Sequence, residues 1–214
     1  MVALTYGLIL LLSYLLGSIP SGFLVARAKG VDLRTVGSGN IGATNAMRVL
    51  GKPLGIFVLL ADAAKGALAC AFLPGVAARL TATVPGGDWP VIAAGVAAIL
   101  GHNFTCWLRF KGGKGIATSA GVLLVLMPKA LGVCLAIWLV VFALSRIVSL
   151  ASILAAAALP LAVWSLGRGT PLVVVATGLG VLAIYRHRAN IQRLLKGTEP
   201  RLGSRPVSPT NEPS

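Results

Sequence analysis

Residues 112–145 read GGKGIATSAGVLLVLMPKALGVCLAIWLVVFALS, and the fold turns on whether they make one apolar span or two. A single span would bury Pro128 and Lys129 near the middle of a bilayer, where a lysine costs roughly 2.5–3.5 kcal/mol. Two spans, over 112–127 and 129–145, are short but feasible, since crossing ~30 Å of hydrocarbon takes ~20 residues. Outward from this stretch, further apolar runs occupy 4–26, 54–78, 89–108, 147–166 and 171–185. The central stretch itself contributes runs at 116–127 and 130–144.

The basic residues choose between the two counts. With seven spans, one side collects 15 of them: Arg27, Lys29, Arg34, Arg48, Lys52, Arg109, Lys111, Lys114, Arg146, Arg186, Arg188, Arg193, Lys196, Arg201 and Arg205. The other side holds three (Arg79, Lys129 and Arg168), and Lys65 stays within the membrane. With six spans the split is nine against eight. The expectation is therefore an all-α integral membrane protein of seven transmembrane helices, N-terminus outside and C-terminus cytoplasmic. No basic residue precedes Arg27, so the positive n-region of a cleavable signal peptide is missing. Residues 1–196 are expected to form the membrane domain. Residues 197–214, rich in Pro, Ser and charge, are expected to be a disordered cytoplasmic tail.

Composition agrees. The 214 residues are 57% hydrophobic and 11% charged, with a mean hydropathy of +0.89, whereas soluble domains carry about 25% charged residues. A soluble globular fold is excluded. The net charge of +14 follows from topology, since the basic residues cluster between apolar runs, and no basic element free of membrane offers itself to nucleic acid. Cys70, Cys106 and Cys134 lie in apolar stretches without ligand spacing. Neither a disulfide framework, a metal site nor a cofactor is expected. No internal repeat is visible, which argues against inverted-repeat carriers.

The seven-span arrangement places every unusual polar segment on the cytoplasmic face. The first, residues 37–48, contains Gly37, Ser38, Gly39, Asn40, Gly42, Thr44, Asn45 and Arg48. Its GxGxxG pattern follows an apolar helix rather than a strand, so it is no dinucleotide fingerprint. It is either a flexible interhelical loop or an anion cradle, in which glycines let backbone N–H groups converge and Arg48 adds a bidentate contact. The second segment, Lys111, Gly112, Gly113, Lys114 and Gly115, is not a Walker A loop, because Gly115 stands where Ser or Thr would hold magnesium. It is either a positive-inside stop signal or a second anion-binding loop.

Four further groups have chemistry to offer. Asp62 and Lys65, three apart on one helix face, are either a functional ion pair or a brace between helices. His102 and Asn103 sit at a helix end, suited to a ligand or to an interhelical bond. Ser149 and Ser152 open another helix. His187 and Asn190, three apart after the last span, either share one site or lie with Arg186, Arg188 and Arg193 among lipid headgroups.

These segments, together with residues 17–22, 31–34, 62–66, 149–152 and 185–191, resemble the acyl-phosphate:glycerol-3-phosphate acyltransferase family of bacteria, the PlsY family. The resemblance covers roughly residues 5–197, with several long motifs in order, and Thr105 and Cys106 vary where tolerance is expected. It implies a multi-pass enzyme of the bacterial inner membrane with a cytoplasmic active site. Its implied reaction moves a fatty acyl group from acyl phosphate to the 1-hydroxyl of glycerol 3-phosphate, giving lysophosphatidic acid and inorganic phosphate. An acyl-phosphate-producing enzyme is implied as a functional partner, and no cofactor is implied. By matched position, Ser38, Arg48, Lys111, Lys114, Ser149, His187 and Asn190 fall among the family's binding and active-site residues.

The residues themselves add a mechanistic expectation. The His-x4-Asp dyad of other glycerolipid acyltransferases is absent, since Trp107 stands five after His102 and Gln192 five after His187. Phosphate is a good leaving group, so positioning and electrostatics can carry the reaction, with a substrate phosphate taking the proton. His187 as general base is the alternative. A carrier for phosphate or a phosphorylated metabolite is the alternative from another class. It needs ligand groups near the midplane, where only Asp62 and Lys65 stand.

Overall fold

The computed structural model describes residues 1–203, and all of their regular structure is helical. The chain runs α1 (Val2–Ser18), α2 (Ser21–Arg27), α3 (Ala43–Leu50), α4 (Lys52–Thr81), α5 (Trp89–Asn103), α6 (Ile116–Leu126), α7 (Pro128–Ser145), α8 (Val148–Ser165), α9 (Thr170–Arg186) and α10 (Arg188–Leu195). Five segments are long and apolar enough to cross a membrane: α1 with α2, α4, α5 with the 3-10 turn after it, α7 and α8. The pair α9 and α10, bent by 59°, makes six, and α6 is apolar but shorter.

The deciding stretch is two helices. Proline disfavours helical geometry in the residue before it and lacks the N–H that would continue the ladder. Met127 accordingly takes φ −148° and ψ 68°, closing α6 and opening α7 at Pro128. Lys129 is exposed at that junction.

Two expected boundaries move. The run 4–26 is broken at Ile19 and Pro20 into α1 and α2, again where a proline removes a helical donor. The run 89–108 ends as an α-helix at Asn103, and a 3-10 turn, Cys106–Leu108, follows. Arg109 and Phe110 then take positive φ (52° and 60°) and reverse the chain toward the end of α5.

Helix α1 packs on α4 and α5, α4 on α3 and α6, and α8 lies between α7 and α9. In lipid no hydrophobic force draws helices together, so association relies on small residues that let backbones approach. Gly17 meets the Ala98 carbonyl, Gly66 that of Thr118 and Gly121 that of Ala63, each too closely for a side chain. One apolar cluster (Ile92, Leu123, Met127, Leu159, Val163 and Leu172) joins α5, α6, α8 and α9. The outside is apolar as well: Leu60, Phe72, Leu139 and Val140 are all more than half exposed. Water would not tolerate such a surface, and lipid requires it.

Candidate active site

The last bend gathers the polar chemistry. Helix α9 ends at Arg186 and the chain turns by 59° through His187 into α10. On α10, Asn190 lies one turn beyond His187 and is buried. Its Oδ1 accepts a 2.6 Å hydrogen bond from Lys114 Nζ, and its Nδ2 donates at 2.6 Å to Glu199 Oε1. Ser149 Oγ, at the start of α8, donates to the same carboxylate oxygen at 2.7 Å. Arg193 Nε donates to Oε2 at 2.7 Å. Arg48, at the end of α3, reaches the same segment and donates to the Pro200 carbonyl at 3.3 Å.

Three cations (Arg48, Arg186 and Arg193) thus bear on Lys114, with Glu199 as the carboxylate among them. Burial, the largest influence, pulls the Lys114 ammonium down to about 8. Glu199 opposes that shift, while the neighbouring guanidiniums of Arg193, Arg48 and Arg186 reinforce it. Burial works to raise the Glu199 carboxyl, but hydrogen bonds from Ser149, Asn190 and Arg193 outweigh it and hold the group below its usual range. His187 is pulled down to about 4, by burial first and by the Lys114 charge second. Its Nδ1 lies 2.8 Å from the Ala183 carbonyl. That oxygen can only accept, so Nδ1 carries the proton and Nε2 keeps the lone pair.

Both glycine-rich loops are ordered differently from an open N–H cradle. In the first, buried Asn45 is the pin. Its Nδ2 donates to the carbonyls of Leu33, Val36 and Asn40, and its Oδ1 accepts the Ser38 N–H at 2.8 Å. The Gly42 N–H goes to Asn40 Oδ1 and the Gly39 N–H to the Val36 carbonyl. Gly37 has φ +61°, and any side chain there would overlap Asn45 Oδ1. The N–H groups of Ser38, Gly39 and Gly42 are therefore engaged within the loop, and what faces outward is side chain. Ser38 is exposed and Thr44 half-buried in the first turn of α3.

In the second loop, Gly112 and Gly113 donate their N–H groups to the carbonyls of Asn103 (3.1 Å) and His102 (3.0 Å). Their own carbonyls accept from Arg186, at 2.9 Å for Gly112 and at 2.8 and 3.1 Å for Gly113. Arg186 also lies over the Phe104 ring. The loop is a mount for Lys114. Lys111 is exposed.

Of the residues singled out in the sequence, Arg48, Lys114, Ser149 and Asn190 meet in one cluster, and the charge of Lys114 reaches His187. His102 lies beneath the second loop, turned toward Asp62. Ser152 is held by the Val148 carbonyl and by Trp138 Nε1, at 2.8 and 3.1 Å. Asn45 and the five glycines shape the loops. Three residues were not read as site members: Arg186, Arg193 and Glu199. The first two were masked by a plausible role among headgroups. Glu199 fell within the stretch expected to be a disordered tail, yet residues 199–202 lie against Ser149, Arg48 and Arg146. Residues 204–214 of that stretch lie outside the described residues. The available signal was scarcity: Glu199 is one of only five acidic residues in the chain.

A helical membrane bundle with a cluster of cations around ordered hydroxyl and amide donors defines a protein built to hold anionic groups. The chain matches, over residues 7–197, the family model described as glycerol-3-phosphate acyltransferase. A glycerol-3-phosphate acyltransferase of Synechococcus sp. (strain JA-3-3Ab) is 48% identical over 194 residues, covering 90% of this chain and 91% of that one. The Desulforudis audaxviator (strain MP104C) protein of the same name is 48% identical over 206 residues, 96% of this chain and all of the relative. Among solved structures, crystals of PlsY (YgiH), an integral membrane glycerol 3-phosphate acyltransferase, superpose closely. Its glycerol 3-phosphate form has a TM-score of 0.82 at 40% identity, over 92% of this chain and 96% of that one. Its lysophosphatidic acid form has a TM-score of 0.79 at 39% identity, over 92% and 95%. The chain belongs to the glycerol-3-phosphate acyltransferase family.

Proposed function

We propose that this enzyme transfers a fatty acyl group from acyl phosphate to the 1-hydroxyl of sn-glycerol 3-phosphate, releasing lysophosphatidic acid and inorganic phosphate. It does so as a seven-span protein of the bacterial inner membrane, N-terminus outside, C-terminus and active site facing the cytoplasm. An acyl-phosphate-producing enzyme supplies the donor. The observation that carries the reading is the cluster of four cations made by Lys114 and the three arginines that bear on it, balanced among the groups acting on Lys114 by Glu199 alone. That excess of positive charge suits two phosphate-bearing ligands.

In the mechanism, Arg48, Lys114 and the donor Ser38 hold the phosphates, and Ser149, donating to Glu199, fixes the carboxylate beside them. Glu199 orients Asn190, whose amide in turn holds Lys114. The acceptor hydroxyl oxygen attacks the acyl carbonyl carbon, a new ester C–O bond forms, and the bond to the phosphate oxygen breaks. The hydroxyl proton passes to a substrate phosphate oxygen. Burial and the Lys114 charge pull His187 down to about 4, and a phosphate monoester, with a second pKa of about 6, is the better proton acceptor. His187 Nε2, neutral at pH 7, is left to orient a substrate group.

The carrier reading lacks a ligand group. Asp62 and Lys65 face each other at 2.9 Å, and Lys65 also binds the Ile19 carbonyl at 2.9 Å. The test offers purified protein labelled glycerol 3-phosphate with acyl phosphate, acyl-CoA or acyl carrier protein thioester. Lysophosphatidic acid from acyl phosphate alone is the expected result. Product from a thioester overturns the donor assignment, and no product from any donor by folded protein returns the carrier reading.

A further inference from the structure

Beneath the second loop lies a buried charged group that the reaction does not use. Asp62 and Lys65 on α4 and His102 on α5 are each at most 6% exposed. Asp62 Oδ1 lies 2.9 Å from Lys65 Nζ and 3.6 Å from His102 Nδ1. Lys65 reaches on to the Ile19 carbonyl, at the break between α1 and α2. The far side of the imidazole, Nε2, lies against the α-carbon of Gly113, where any side chain would overlap it. The next residue, Asn103, stands in the same relation to Gly115, whose hypothetical Cβ would fall 2.7 Å from Asn103 Oδ1. The carbonyls of His102 and Asn103 receive the N–H groups of Gly113 and Gly112.

We propose that Asp62, Lys65 and His102 form a positioning unit for the loop that carries Lys114. The proposal rests on the acyl-transfer reading above and adds residues to it. The physical case begins with what the ion pair does not do. A buried pair contributes little net stability, because desolvating two charges offsets their attraction, and apolar replacements of similar volume are often tolerated. Apart from the tie from Lys65 to the Ile19 carbonyl, helix packing therefore does not call for the pair here. What they provide is direction. The carboxylate, paired with the ammonium at 2.9 Å, faces Nδ1 of the imidazole at 3.6 Å, an ionic contact longer than a hydrogen bond, while the ring's other edge meets Gly113. Arg186 grips the same loop through the carbonyls of Gly112 and Gly113. The loop is thereby held by both a ring and a guanidinium, and Lys114, one residue on, inherits that placement. Displacing a charged group by about 1 Å can reduce turnover about a hundredfold.

Two sets of variants test this in the full-length enzyme in lipid, each scored for turnover, KM and thermal transition beside wild type. Asp62→Leu with Lys65→Leu removes both charges together, so no unpaired charge is left buried. The expected result is a folded protein with a thermal transition near wild type and a loss of at least about tenfold in kcat/KM. Near-normal turnover overturns the proposal. Should that protein not fold, the second set decides alone. Gly113→Ala should lose about a hundredfold. Adding His102→Ala, which vacates the space the new methyl needs, should recover at least about tenfold although His102→Ala alone reduces activity. Losses that simply add overturn the coupling. Wild-type turnover separates the two hypotheses: inactivity of wild type with every donor sinks the acyl-transfer reading, whereas active wild type with unaffected variants sinks the positioning unit.

Discussion

The two glycine-rich loops look alike in sequence and are held by opposite means. The first is secured from within: one amide, Asn45, ties three carbonyls and one N–H of its own loop together. The second has no such pin and is clamped from outside, by the carbonyls of α5 and Arg186 of α9. Each loop delivers one cation to the site, Arg48 by way of α3 and Lys114 directly. A self-contained loop fails all at once, whereas a clamped loop registers the position of every element that grips it.

Breaking the first pin should have the largest effect. Asn45→Ala leaves up to four backbone groups without a partner, of which the buried Leu33 carbonyl costs about 1–3 kcal/mol and the three half-buried ones less. Both the thermal transition and kcat/KM should fall steeply, the latter by more than about a hundredfold, and wild-type behaviour would show the loop is held otherwise. Next comes the cation that loop delivers. Arg48→Lys keeps the charge but loses the planar fork, so turnover should drop about a hundredfold with the thermal transition unchanged. Near-normal turnover would remove Arg48 from the phosphate site.

The clamp is the gentler target. Arg186→Lys gives up simultaneous contact with two carbonyls while Asn103 and His102 still hold the loop. A loss of about tenfold is expected, measured as kcat/KM for glycerol 3-phosphate. The cation of the clamped loop also sets a pH limit. Lys114, pulled down to about 8, is charged below that pH and neutral above it. kcat/KM of the free enzyme should therefore decline on the alkaline side from near pH 8. Lys114→Arg, which stays charged throughout, should move that limb upward even at a reduced maximum; an unmoved limb assigns the titration elsewhere. Ser152 belongs to neither loop. Ser152→Ala should change turnover by less than about twofold, and a larger loss would return it to the site.

Helices were the legible part of this sequence because hydropathy is a property of each run by itself. All seven apolar runs carry helix, and the cost of burying Lys129, with the distribution of basic residues, marked the break between α6 and α7. Pro20 carried the same message for α1 and α2, but the apolar residues on both sides concealed it. The site was legible in its charges and opaque in its wiring. Arg48 and Lys114 could be named because phosphate chemistry calls for cations, and Ser149 and Asn190 through the resemblance of their segments to a known family. That the N–H groups of Ser38, Gly39, Gly112 and Gly113 are already engaged could not be read, since their partners, the Asn45 side chain for Ser38 and backbone carbonyls for the glycines, are placed by the fold alone. Glu199 escaped for a related reason: a composition averaged over a tail hides one residue that turns back.

That carboxylate has a consequence for how much positive charge an arriving anion meets. Glu199 joins Ser149 of α8 to Asn190 and Arg193 of α10 at one point. It is also the one negative group among those that act on Lys114. A single side chain therefore ties two helices together and trims the charge of the cationic cluster beside them.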